Sequence, residues 1–165
     1  MTCLGRSYRV EKNALLWGSV EDIVFQGPNA LTLDDKGRMA VPARHRELLS
    51  AAGVKELTIT LHPDDALMIF PRPTWLKFRE RLVALPFDSS PWKRMFLGNA
   101  MDVDIDNSSR VLIAPELRDA AGMARDVKLI GVGSHLELWD ARRHAEHSAR
   151  TKASTMPDSI KAFVF

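Results

Sequence analysis

Asp34-Asp35-Lys36-Gly37-Arg38 and Asp106-Asn107-Ser108-Ser109-Arg110 stand 72 residues apart, and both fit the pattern DxxxR between apolar, strand-like runs. Upstream lie Leu31-Thr32-Leu33 and Val103-Asp104-Ile105, which alternate apolar and polar residues as half-buried strands do. Downstream come Met39-Ala40-Val41-Pro42 and Val111-Leu112-Ile113-Ala114-Pro115, and a further arginine, Arg46 or Arg118, follows eight residues after each motif arginine. Ala51-Ala52-Gly53 then answers Ala120-Ala121-Gly122, and Leu67-Met68-Ile69-Phe70 answers Leu136-Glu137-Leu138-Trp139. A repeat of this length across the chain is a statement about the fold before it is one about any local motif. Two copies are too few for a solenoid, so they imply a closed pseudo-dimer.

At 165 residues the chain suits one ordinary domain, or two small ones sharing a core. Apolar content of 45% with 27% charged residues is that of a globular protein, and no apolar run approaches the ~20 residues that cross a bilayer. Cys3 alone can form no internal disulfide and offers no metal cluster, which fits a reducing cytosol. The amino terminus scatters Arg6, Arg9, Glu11 and Lys12 among apolar residues and lacks the ordered regions of a signal peptide, so a cytoplasmic location is expected. Net charge divides unevenly, at 0 over residues 1–24, +3 over 25–95 and −1 over 96–165. If a polyanion binds, the first repeat should lead.

Residues 1–24 show no periodicity and read as an N-terminal extension; 25–86 form the first repeat, 87–98 a connecting helix, 99–152 the second repeat and 153–165 a tail. In the first copy a strand through Leu33 meets a tight turn at Asp34–Gly37 and returns as Arg38–Val41, which predicts a hairpin. Pro42 and Gly53 bracket a helix over 42–52. A second hairpin, 57–61 with 67–70, turns at His62-Pro63-Asp64-Asp65, and helical spacing of Trp75, Phe78, Leu82 and Leu85 predicts a helix over 74–85. Ser90-Pro91 opens the connecting helix. The second copy repeats the series, with a short helix over 115–121, a hairpin of 127–132 with 136–139, and Asp140 capping a helix over 141–152. The tail reads as loose until Ile160 and Phe163. The expected class is therefore α+β, two tandem β-β-α-β-β-α units, each too small to enclose a core unaided.

In the DxxxR turn the aspartate can accept bonds from backbone N–H groups and pair with the arginine four residues on. Such an exposed pair is worth at most ~1 kcal/mol, so stability is a poor reason for it. Two oriented arginines on equivalent turns suit phosphates or guanine edges, which arginine binds through two N–H groups at once.

The run Phe25-Gln26-Gly27 through Leu33-Asp34-Asp35-Lys36-Gly37-Arg38 and Pro42-Ala43-Arg44-His45-Arg46, repeated at Asp106 to Arg118, resembles the MraZ family over about residues 25–152. That family consists of bacterial transcriptional regulators built from two SpoVT/AbrB-like repeats. The resemblance implies a pseudo-two-fold, swapped-hairpin AbrB-like β-barrel with flanking helices, a ring-shaped homo-oligomer, and binding to double-stranded DNA at direct repeats upstream of the division and cell-wall gene cluster. It implies a nucleoid-associated repressor, with no cofactor, metal or small-molecule substrate. Carried over by position, the DNA-binding residues are Arg38 first, then Lys36 and Arg110, with Asp34 and Asp106 orienting the arginines and Arg44 and Arg46 as lower candidates. The second turn departs from the family pattern, because Ser108 and Ser109 stand where a lysine or glutamine and a glycine are common. It should bind more weakly. The resemblance also places Val24 where the family pattern begins at methionine, and valine is the reading of GTG, which makes Val24 a candidate start.

Other chemistry finds little support in the sequence. Asp102-Val103-Asp104-Ile105-Asp106 opens like a calcium loop but lacks its glycine and final glutamate, having Asn107 and Ile113 instead. His144 and His147 share a helix face with no further ligand evident nearby. No phosphate-binding loop, dinucleotide turn, nucleophile elbow or zinc-protease motif is present, so catalysis is not expected. An antitoxin-like or scaffolding role on the same barrel is the alternative to promoter binding.

Overall fold

The computed structural model describes residues 23–164. The expected extension falls outside them apart from Ile23 and Val24. The first copy contributes β1 (Phe25–Thr32), β2 (Arg38–Ala40), α1 (Ala43–Ala51), β3 (Glu56–His62), β4 (Ala66–Pro71) and α2 (Arg72–Val83). A 3-10 turn at Phe87–Ser89 and α3 (Ser90–Gly98) lead into β5 (Met101–Asp104), β6 (Arg110–Leu112), α4 (Pro115–Ala120), β7 (Asp126–Gly133), β8 (Leu136–Asp140) and α5 (Ala141–Ala153). The final helix α6 (Asp158–Val164) corrects the expectation of a loose tail up to Ile160: Pro157 accepts from the Ile160 and Lys161 amides and begins a turn that the apolar pattern alone did not reveal.

Strand pairing follows the duplication. The turn between β1 and β2 forms where expected, but the two strands then part: β1 pairs with β7 and β2 with β6, both in the other copy. Reciprocally, β5 pairs with β3. This exchange gives an antiparallel six-stranded sheet, β1-β7-β8-β4-β3-β5, and a separate two-stranded ribbon, β2-β6. The ladders do not run continuously around a closed barrel. Met39 faces its own counterpart Val111 in the ribbon, and Met68 faces its counterpart Glu137 between β4 and β8. The pseudo-two-fold axis therefore passes between these pairs.

One side of every strand faces a shared core in which Phe25, Met39, Leu57 and Ile69 of the first copy meet Val111, Ile113, Leu129 and Leu138 of the second. Neither copy owns this core, so neither is expected to fold without the other. Asp140 caps α5 as its position predicts, accepting from the Arg142 and Arg143 amides at 3.1 and 3.2 Å. The Ala124 amide donates to its other oxygen at 3.1 Å, tying the helix start to the loop before β7.

The helices at equivalent places rest on different chemistry. Under α2, Phe70, Trp75 and Phe78 pack as an aromatic group with ring centroids 5.1–5.6 Å apart. Under α5 the corresponding positions hold Trp139, His144 and His147, with Trp139 centred 5.9 and 4.8 Å from the two imidazoles. Glu137 completes this seat, accepting from Trp139 Nε1 at 2.9 Å and lying 3.4 Å from His62 Nε2. The seat under α5 thus holds two imidazoles where α2 supplies Trp75 and Phe78, while a single imidazole, His135, stacks on Phe70 at 4.7 Å.

Candidate nucleic-acid interface

Each DxxxR segment closes on its own aspartate. Asp34 Oδ1 accepts from the Lys36 and Arg38 amides at 3.0 and 2.9 Å, and its Oδ2 accepts from Arg38 Nε at 2.6 Å. Asp106 repeats this with the Ser108 and Arg110 amides, both at 2.9 Å, and with Arg110 Nε at 3.1 Å. The backbone ring is also shared: Gly37 N–H donates to Asp34 O, and Ser109 N–H to Asp106 O. The amide of Arg38 is the main cause holding the Asp34 carboxyl below its ordinary value, and the amide of Arg110 does the same for Asp106. Both aspartates are thereby kept ionised, and each fixes its arginine through Nε, leaving the Nη edge of the guanidinium free for a ligand.

The ribbon sets where the arginines point. Arg38 lies opposite Leu112, and Ala40 opposite Arg110. In an antiparallel pair these four residues share one face, while Met39 and Val111 turn the other way into the core. The arginines are diagonal neighbours, roughly 7–8 Å apart at the backbone. Between them lie the exposed Ala40 and Leu112, the latter 47% accessible. The result is a narrow surface with a guanidinium at each end and methyl groups between. Such a two-stranded ribbon is of a size the DNA major groove admits, and its groups match guanine acceptor edges and thymine methyls.

The turns differ where their sequences do. Gly37 adopts φ +77°, and Ser109 takes the same left-handed region at φ +59°. There a side chain costs about 1 kcal/mol. Lys36 is exposed at the tip of the first turn, and Ser108 at the tip of the second.

Of the lower candidates, Arg44 is occupied within the chain. Its Nη2 donates to Pro28 O at 3.1 Å and to Asn29 Oδ1 at 2.7 Å, pinning α1 to β1. Arg46 is exposed and lines a cleft with Lys55, Asp106 and Asn107 beside the second turn. Sequence reasoning missed Ala40, Leu112 and Arg118. The first two follow only from the cross-copy register, whereas Arg118 had a signal in its spacing from Arg110. Among the described residues, no group of three or more His, Cys, Asp or Glu side chains is arranged to hold a metal ion. No described helix is long and apolar enough to cross a membrane.

Duplicated halves that exchange strands and present paired, aspartate-braced arginines define a class of two-repeat α+β proteins built around one composite ribbon. Family comparison places the chain within that class. The family described as "MraZ protein, putative antitoxin-like" matches twice, over residues 24–97 and 95–164, and the chain belongs to the MraZ family. Its relatives include a protein named transcriptional regulator MraZ from Methylibium petroleiphilum, 56% identical over 144 residues, which are 87% of this chain and 99% of that one. Proteins of the same name from Ralstonia pickettii and Burkholderia vietnamiensis are 54% and 52% identical over 142 residues, 86% of this chain and 100% of each relative.

Proposed function

We propose that this chain is a sequence-specific DNA-binding transcription regulator that reads a duplex with the β2-β6 ribbon. The observation that carries the reading is the pair of arginines on one face of that ribbon, each held by its own ionised aspartate. Arg38 leads, supported by the exposed Lys36, and Arg110 makes the weaker contact. Asp34 and Asp106 orient the guanidinium groups without touching DNA. Arg46 lies close enough to the second turn to contribute a phosphate contact, and Arg44 acts as a brace within the fold.

A single ribbon offers few cationic contacts, so one protomer binds weakly and with steep salt dependence. A homo-oligomeric ring that sets identical ribbons along direct repeats raises affinity without new contacts, provided subunit spacing matches repeat spacing. Occupancy upstream of the division and cell-wall genes then represses by occlusion, placing the protein at the nucleoid. The names of the relatives support regulation of transcription as the output.

Fluorescence anisotropy with a duplex carrying the direct repeats, against a shuffled duplex of equal length at two salt concentrations, tests the reading. Wild type should prefer the repeats, and Arg38→Ala should lose that preference while keeping its oligomeric state. Equal binding to both duplexes, or full affinity in Arg38→Ala, refutes it. Absence of any sequence-dependent binding would favour a scaffolding or antitoxin-like role.

A further inference from the structure

The two copies differ in what stands behind their turns. Gly37 is buried, and the guanidinium of Arg118, from α4 of the other copy, lies against its α-carbon. A β-carbon built at residue 37 would sit 2.6 Å from both Cζ and Nε of Arg118. Arg118 Nε donates to Ile113 O at 3.0 Å, and the amide of Ile113 donates to Gly37 O at 3.0 Å. Helix α4, the strand end after β6 and the first turn are thus locked in sequence. Among the described residues no carboxylate lies within ion-pair distance of Arg118, so its charge stands beside the turn unneutralised.

At the second turn the pseudo-equivalent parts are Ser109, Arg46 and Val41. The Val41 amide still donates to Ser109 O at 2.9 Å. Ser109, however, carries the β-carbon that glycine lacks at position 37, and Arg46 makes no hydrogen bond to the strand end and remains exposed. The same duplicated arginine is therefore a packed strut in one half and a free side chain in the other.

We propose that Arg118 is the positioning residue for the first DNA-reading turn: its planar guanidinium, packed on Gly37 and bonded to Ile113 O, holds Lys36 and Arg38 at a fixed height above the ribbon. This rests on the DNA-binding reading of the ribbon, and it adds that reading strength at Arg38 is set by a residue of the opposite copy. The strut requires both the missing β-carbon at 37 and a flat cation at 118. A lysine keeps the charge but has no plane to lie on the α-carbon.

Amide hydrogen exchange and DNA affinity in Arg118→Ala, Arg118→Lys and Arg46→Ala test this together. In both Arg118 variants the Lys36, Gly37 and Arg38 amides should exchange faster, while those of Ser108, Ser109 and Arg110 stay as in wild type. Affinity for the direct-repeat duplex should fall roughly fivefold, the scale of one lost hydrogen bond. In Arg118→Lys, which keeps the charge, the slope of log affinity against log salt should remain that of wild type. Wild-type exchange at the first turn in Arg118→Ala, wild-type affinity in Arg118→Lys, or a shallower salt slope in Arg118→Lys overturns the assignment. Arg46→Ala should leave exchange at both turns unchanged, and faster exchange at the second turn would show a matching strut and remove the asymmetry. If wild type shows no sequence preference, the DNA reading falls, and exchange at the first turn still decides whether Arg118 holds it.

Discussion

Replacing His45 with leucine should stabilise the protein. His45 lies on α1, is 1% exposed, and among the described residues neither ring nitrogen has a hydrogen-bond partner. Burial, with the nearby Arg44 charge adding to it, lowers its pKa, so the imidazole is neutral in the fold. A buried polar group without a partner costs about 1–3 kcal/mol. Against this stands the edge-on contact with Phe25, at a centroid distance of 5.6 Å, of which leucine would forfeit the aromatic part, about 0.5–1.5 kcal/mol. Leu117 fills the equivalent place in the second copy at 1% exposure, so the backbone accepts leucine there. The net gain should be about 1 kcal/mol near neutral pH, or 2–4 °C in melting temperature. The pH dependence sharpens the test. The folded pKa lies below the unfolded value of about 6.5, so as pH falls through that value the unfolded chain takes up a proton first and the wild type loses stability. The advantage of His45→Leu should therefore widen between about pH 7 and 5.5. Urea unfolding at fixed protein concentration at both pH values measures it. A variant no more stable than wild type, or an advantage that does not grow on acidification, refutes the account of an unpartnered, neutral imidazole.

Ser109→Gly relieves a left-handed backbone and should raise stability by about 1 kcal/mol in thermal unfolding; no gain would mean that Ser109 carries no strain. Gly131→Ala should do the reverse, because its β-carbon would lie 2.5 Å from Phe25 C and 2.6 Å from Gln26 Cα, backbone atoms that cannot step aside without parting β1 from β7. Loss of about 2 kcal/mol or more and faster exchange along β1 are expected, and wild-type exchange there would contradict the close approach. By carboxyl NMR, Asp34 and Asp106 should titrate below the ordinary aspartate value of about 3.9, and the stability they add is present above that value and lost as pH falls through the folded one; titration at or above the ordinary value counts against the braced turns. Burial lowers the pKa of His135 and His144 first, with the charges of His62 acting on His135 and of Lys128 and His147 on His144 in the same direction, and Glu137 opposing in both cases. His144 lies against Trp139 under α5, and His135 stacks on Phe70 under α2 with centroids 4.7 Å apart, so amides of both helices should exchange faster as pH falls below about 6.5; an unchanged response in either helix would deny its seat the titration.

The duplication, the two turns and most helices are legible in the sequence because each is written locally. DxxxR carries its own hydrogen bonds, Asp140 caps its own helix, and Pro115 and Gly122 bracket α4. What the sequence hides is whatever depends on strands changing partners. Nothing around Arg38 says that Leu112 is its neighbour, since that contact depends on β2 pairing across the molecule and not within its own hairpin. Arg44 reads as a surface cation beside the motif, yet Asn29, fifteen residues earlier and on another element, takes it out of use. The same strand exchange conceals the packing of Arg118 on Gly37. Helix α6 was missed for a different reason: a short amphipathic segment after Pro157 has too few turns for its period to stand out.

Symmetry of the ribbon bears on the kind of site it can read. A ribbon with a true two-fold axis between Met39 and Val111 would present the same groups in both directions and so match a palindrome, as two-fold dimers match inverted repeats. Here the axis survives in the backbone and in the two Asp–Arg braces but is broken around them: Leu112 answers Ala40, Ser108 answers Lys36, Ser109 answers Gly37, and an exposed Arg46 answers a packed Arg118. Laid in a groove, such a ribbon distinguishes one strand direction from the other, because its lysine end and its serine end demand different partners. On the DNA-binding function proposed above, each protomer would then prefer a short, directional site. If protomers assemble by rotation into the proposed ring, they would repeat that preference in the same sense, which is the geometry of direct repeats. On that reading, divergence between the two copies would convert a pseudo-symmetric fold into a directional reader.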